Sequence, residues 1–366
     1  MRITYFFFPL LTLSLGLAAC RNQATTLPTL TPVPTPDATL QADQEQAYLS
    51  GYENGAYYSG IAAWGNQVYF GYGKNLYWLD VSDPENPVLS GREPLPNPLS
   101  SISLQQGVAH LILNTPSGFN SEILANGWQQ MDISNPPRPR LTTFYDAPLN
   151  LQTILIYRDR AFLGAWEPEL HQLEISDAAA PRTYPSLTDL PGNIFALGQY
   201  DHYLLVETAS CFRTCNSNLL IIDAQDPDQL RIVAEFPHYG AFFNLLVHKQ
   251  SVTLAGTVLL TLDLSDPTRP QLMNEFAPPT YINDAVLNNN ILYTSGQGLA
   301  VYDLTRLDQP QLLVHSHIPI NTQQIALDGD LLALSAPQDG IFLFSIADPT
   351  APQELTHFKL SNQDLP

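Results

Sequence analysis

Asp263 and Asp266 stand three residues apart in the stretch LDLSDPTRPQL (262–272), with Pro267 and Pro270 stiffening the backbone around them. Two carboxylates held close together are what acid–base chemistry or a hard cation uses, so this pair is the first candidate site. The pair is also repeated. LDVSDPENP (79–87), MDISNPPRP (131–139), LEISDAAAP (173–181), IDAQDPDQL (222–230), LDLSDPTRP (262–270), YDLTRLDQP (302–310) and FSIADPTAP (344–352) are versions of one unit. Their equivalent positions Asp80, Asp132, Glu174, Asp223, Asp263, Asp303 and Ser345 are separated by 52, 42, 49, 40, 40 and 42 residues. Carboxylates that recur at a structural period read as brackets of the fold, and the paired acids of DPENP and DPDQL read as solvated turn residues before they read as a cation site.

The other reactive side chains are sparse. The sequence has no G-x-S-x-G, no H-E-x-x-H, no phosphate loop and no acidic loop of the EF-hand spacing, so neither a catalytic nor a metal-ligand set is assigned and no cofactor is expected. His315 and His317 lie two apart in LLVHSHIP and share a face of an extended segment, but a metal would need further ligands from elsewhere in the chain. Trp64, Trp78, Trp128 and Trp166 are expected to pack in the core or between repeats rather than to form platforms. Cys211 and Cys215 sit in ETASCFRTCNSN. In an exported chain this pair suits a disulfide, with free thiols or metal and redox chemistry as the competing readings.

One unit shows what must position these groups. Between Pro270 and Asp303 the runs QLMNEFAPP, YINDAVL, ILYTS and LAVYDL are rich in branched and aromatic residues and are separated by Asn, Gly and Pro. Each is too short for a helix, and no period near 3.6 runs through them. Four strands in about 40–50 residues is the signature of a propeller blade. Seven units predict an all-β chain: a seven-bladed β-propeller of four-stranded antiparallel blades. In the recurring motif the first Asp ends the third strand and caps the turn that follows, Asp-Pro opens a type I turn, and the second Pro leads into the outer strand. The ring closes by packing alone, unless residues near AYLSGY (47–52) add a strand.

These units resemble LVIVD repeats of bacterial exported and surface propellers, whose pattern is an apolar run, Asp, then Ser-Asp-Pro-x-x-Pro. LLIIDAQDPDQL and LLTLDLSDPTRP are close matches. Departures fall at Glu174 with Ala178, at Leu230, at TRLD (305–308) and at Ser345. The resemblance implies a fold and an exported location, and no particular activity.

The N-terminus supports export. MRITYFFFPLLTLSLGLAAC has a basic residue at Arg2, an apolar run from Tyr5 to Leu17 that is short for a bilayer span of about 20 residues, and small residues before Cys20. Leu17-Ala18-Ala19-Cys20 resembles a bacterial lipobox, which implies a signal peptide over 1–19 and lipidation of Cys20. Residues 20–46 are rich in Pro and Thr and read as a disordered tether, followed by the propeller over 47–361 and a tail over 362–366. The chain is therefore expected to touch a membrane through its lipid alone. Its 15 basic and 35 acidic residues, a net charge of −20, exclude nucleic acid as a partner and an electrostatic grip on anionic lipid.

Function then falls to the residues that do not repeat. One or two residues before each expected inner strand stands a small polar group: Ser59, Ser101, Gln152, Asn193, Asn244, Asn283 with Asp284, and Gln323 with Gln324. Around a central channel these make a ring of amides, hydroxyls and one carboxylate, able to hold a glycan, a peptide or a hydrated ion, although strand starts favour polar residues in any case. Two insertions, NTPSGFNSEILANG (114–127) and the cysteine loop, exceed the repeat and are where partner specificity is expected. The leading expectation is a lipid-anchored extracytoplasmic scaffold that binds an envelope protein, glycan or peptide without catalysis. The alternative is a hydrolase or lyase acting on surface polysaccharide or peptide, with Asp284, Asn283 and Asn244 as its only candidate cluster.

Overall fold

The computed structural model describes residues 57–364 except 106, 115–125, 148–149, 176–181, 211–215, 241 and 362. Its strands form seven sheets, each built from consecutive segments of the chain in antiparallel order. The inner strands of blades 1 to 7 are Tyr58–Trp64, Leu99–Gln105, Leu151–Tyr157, Asn193–Tyr200, Phe242–His248, Ile282–Asn288 and Gln324–Asp328. Each inner strand touches the next, and the seventh touches the first, so the sheets close into a ring. Six blades have four separate strands. In blade 6 the expected second and third strands form one segment, Ile291–Asp303, whose first half pairs with the inner strand and whose second half pairs with the outer one. Gly298, at φ 93, allows the reversal between the halves.

Burial explains why the sequence pattern is legible. A blade is covered on both faces by its neighbours, so its middle strands are buried along nearly their whole length and mostly apolar, as in Gln67–Tyr72 and Asn75–Asp80 of blade 1. The outer strand Val88–Pro94 instead alternates exposed and half-buried positions. Seven apolar clusters fill the seven junctions between neighbouring blades, and each fully buried large side chain in them contributes about 1.5–3 kcal/mol.

The recurring turns all lie on one face, termed lower, where inner strands end. Oδ1 of Asp80, Asp132, Asp223, Asp263 and Asp303 accepts the backbone N–H two residues ahead at 2.7–3.0 Å, which holds the chain as it leaves the third strand. Arg269 N donates to Asp266 O at 2.9 Å, closing the expected turn. In every blade the residue after the first motif position (Val81, Ile133, Ile175, Ala224, Leu264, Leu304 and Ile346) donates its N–H to the hairpin joining the first two strands, at 2.7–3.1 Å. Ser345, standing where Asp recurs, receives only a 3.5 Å bond from Ala347 N. Glu174 departs differently: its carboxylate accepts the Tyr184 hydroxyl at 3.0 Å.

Blade 1 meets blade 7 through packing. Tyr58, Phe70 and Tyr77 share an apolar cluster with Ile341 and Leu343, Tyr58 N donates to Pro337 O at 2.9 Å, and Leu360 N donates to the Tyr58 hydroxyl at 2.6 Å. The tail takes part as well, since the Asp364 carbonyl accepts bonds from Tyr77 and Arg92. Residues 47–52 lie outside the described residues.

Candidate functional site

The opposite, upper face is where inner strands begin and where the ring of small polar groups was expected. Six inner strands carry a β-bulge there, with Gly60, Ser100, Gln152, Phe195, Phe243 and Asn283 as the extra residue. A bulge twists the strand and redirects its side chain, so residues next to it leave the regular alternation. Gly60 adopts φ 49, and a Cβ there would lie 2.6 Å from Leu99, which accounts for glycine at that position.

The polar groups make contacts across the blade boundaries. Ser59 Oγ donates to Leu99 O at 2.6 Å, from blade 1 to blade 2. Asn244 Nδ2 approaches Asn283 O at 3.4 Å, and Asn283 Nδ2 donates to Thr322 O at 2.8 Å and to Asn321 Oδ1 at 3.0 Å. Gln324 Nε2 reaches past blade 1 to Ser100 O at 3.0 Å. Gln152 Nε2 bonds Asn150 Oδ1 within its own blade at 3.3 Å. Ser101 and Asn193 are half-buried and pair through the backbone with Ile112 and Ala209. Much of the ring's hydrogen-bonding capacity is thus spent joining blades.

Asp284 is the ionisable member of this ring. Its Oδ2 accepts Ile325 N at 3.0 Å and its Oδ1 accepts Ala285 N at 2.8 Å. Burial raises its carboxyl pKa to about 7, and the two amide bonds oppose that rise. Asn244 touches the Asn283 backbone, and the Asn283 and Asp284 side chains bond Thr322 and Ile325, so the three stand in succession along the junctions of blades 5, 6 and 7. A second titratable pair lies inside blade 4, where His238 Nε2 is 3.0 Å from Glu207 Oε2. Burial raises the Glu207 carboxyl well above its ordinary range and lowers His238 to about 4, both shifts favouring the uncharged forms.

The tryptophan expectation holds for two of the four. Trp128 is fully buried, stacks on Tyr145 at 4.3 Å and donates to His110 Nδ1 at 3.1 Å, and Trp78 is buried between blades 1 and 2. Trp64 and Trp166 are exposed at 46% and 38%, each at the end of a strand where the blade covers it only in part. Trp166 belongs to an aromatic series that the small-polar pattern concealed. Its ring centroid is 5.2 Å from Phe195, Phe195 is 5.7 Å from Phe243, and Phe243 is 6.3 Å from Tyr281, with neighbouring ring planes 62–68° apart. The available signal was the apolar residue beside each polar one, in NIFALG and AFFNLLVH.

Among the described residues, Glu167, Glu169 and His171 bring one ligand atom each within 4.8 Å of one another. His171 Nδ1 is 3.0 Å from Ser186 Oγ, so its Nε2 is the nitrogen turned toward Glu167, 3.8 Å away. His315 and His317 fall on the outer strand Gln311–Asn321. Cys20, Cys211, Cys215 and most of the 114–127 insertion lie outside the described residues.

Comparison with known proteins gives the fold and one repeat. No curated protein sequence matches this chain. Among solved structures, the β-propeller domain of Cps50 (Swd1) from Myceliophteria thermophila is 12% identical with a TM-score of 0.61, covering 79% of this chain and 97% of that one. The computationally designed Ika8 protein is 12% identical with a TM-score of 0.57, covering 80% and 96%. Sqt1 of Saccharomyces cerevisiae is 9% identical with a TM-score of 0.56, covering 82% and 84%. Residues 56–93 match the LVIVD repeat family, and that repeat is the first blade of this seven-bladed β-propeller.

Proposed function

We propose that this chain is an extracytoplasmic binding scaffold, held at a membrane by lipid on Cys20, that takes its partner on the upper face. The carrying observation is the difference between the two faces. On the lower face the recurring aspartates engage their own turns, whereas the upper face carries the bulged strands, the half-buried amides and the aromatic series from Trp166 to Tyr281, which differ from blade to blade. Ligand sites combine concavity with a few convergent polar groups, and that combination is sought on the face whose residues vary. Full-length protein cross-linked in its native envelope, with the upper-face variant N244A beside the lower-face variant D263A, tests the reading. Loss of the recovered partner in N244A alone supports it, and loss only in D263A overturns it. The anchor is tested by C20A, which is expected to move the chain from the membrane fraction to the soluble one.

A second reading, a hydrolase or lyase acting on surface polysaccharide or peptide, draws on one observation: a carboxyl poised near neutral pH is what a general acid needs. Both Asp284 oxygens accept backbone amides, which favours a blade-joining role. Turnover of a surface polysaccharide that D284N abolishes would reverse that preference.

A further inference from the structure

The aromatic series occupies the same four blades as four amides of the polar ring. Trp166 extends from blade 3, where its backbone N–H donates to Asn150 O at 3.0 Å and the Gln152 amide bonds the Asn150 side chain. Phe195 and Phe243 are the bulge residues of blades 4 and 5, two residues after Asn193 and directly before Asn244. Tyr281 precedes the inner strand of blade 6, two residues before Asn283. The centre of the series is held rigidly, with Phe195 buried at 6% exposure and packed with Ala209 and Phe243, while its ends Trp166 and Tyr281 are 38% and 37% exposed. Tyr239, at the upper end of the blade 4 outer strand, is exposed as well.

We infer that this arc from Trp166 to Tyr281 binds a neutral oligosaccharide, an assignment that rests on the upper-face scaffold reading. A sugar ring has apolar C–H faces and a rim of hydroxyls, so it needs flat aromatic surface beside neutral groups that both donate and accept. Trp and Tyr supply the first with little conformational entropy to lose. Asn193 and the amide groups of Gln152, Asn244 and Asn283 that their protein contacts leave over, the side-chain carbonyls above all, supply the second. The arc and these amides contain no Lys or Arg, and the chain's net charge of −20 repels anionic ligands. Both facts select a neutral glycan over an acidic one.

The test uses full-length protein in detergent, with neutral cello-, manno- and chito-oligosaccharides, an acidic oligogalacturonate and a proline-rich peptide as probes, read by calorimetry and tryptophan fluorescence. W166A and Y281A change exposed ends of the arc, and W64A changes an exposed tryptophan on the lower face. Binding of at least one neutral probe that falls about tenfold or more in W166A and Y281A, as for truncation of an aromatic anchor, and stays intact in W64A is the expected result. The inference is overturned if no neutral probe binds, if only the peptide or the acidic probe binds, or if W166A and Y281A bind as tightly as the parent. In those cases, recovery of an envelope partner that N244A loses would leave the scaffold reading standing, and failure of that recovery would remove both.

Discussion

Replacing Asp284 with asparagine separates a carboxyl that joins blades 6 and 7 from one that only decorates the channel mouth. In the folded chain burial raises this carboxyl from 3.8 to about 7. The folded state therefore retains a proton that the unfolded chain has already lost, and stability falls as pH rises from the lower value to the upper one. One pKa unit corresponds to about 1.4 kcal/mol, so the whole fall is about 4 kcal/mol. The side chain introduced by D284N does not titrate, and its single acceptor oxygen serves one of the two amides from Ile325 and Ala285, at a cost of about 1 kcal/mol at every pH. Between about pH 5 and pH 8 the variant should gain about 3 kcal/mol on the parent. At about 2 °C per kcal/mol for a domain of this size, the difference in Tm should move by about 5–6 °C in favour of D284N. Thermal melts of both proteins across that range, with the carboxyl carbon followed by NMR, measure this directly. A Tm difference constant across the range, with a carboxyl already ionised at pH 5, would refute the account of Asp284 as a buried acid.

Other perturbations bear on closure, on the buried pair and on the turns. Y58F leaves the Leu360 amide without its 2.6 Å acceptor, so it should destabilise the ring by about 1–3 kcal/mol and speed hydrogen exchange at Leu360. Unchanged exchange there would show that the ring closes without this bond. E207Q keeps an uncharged side chain opposite His238, so it should remove the Glu207 share of the parent's loss of stability above the ordinary carboxylate range and leave the share that Asp284 contributes. The stability rise from pH 4 to about 6.5, caused by an imidazole that stays neutral when folded, should persist in that variant, and its absence from melting curves would count against a neutral pair. D263A removes the cap on Ser265 N and should cost about 0.5–2 kcal/mol, by analogy with helix capping. S345D, which restores the recurring residue in blade 7, should stabilise the protein by less than that.

Blade count and the lower face can be read from the chain alone. Seven copies of one motif at 40–52 residue spacing identify strand ends and turns, because an Asx cap and an Asp-Pro turn are local structures whose hydrogen bonds close within three residues. The apolar middle strands are legible for a related reason: every blade is buried on both sides in the same way, so its pattern recurs. The upper face is legible only in part. Small polar residues can be found at equivalent positions, but whether a side chain there enters the channel or bonds the next blade depends on bulges such as those at Phe195 and Phe243, which no local pattern announces. The aromatic arc joins residues from four blades, and the positions of Trp166 and Tyr281 relative to one another follow from closure of the ring. The protonation of Asp284 and Glu207 likewise emerges on folding, since a carboxyl's pKa follows its burial and its partners. Local hydrogen bonding wrote the repeat into the sequence, and long-range packing selected which non-repeating residues meet.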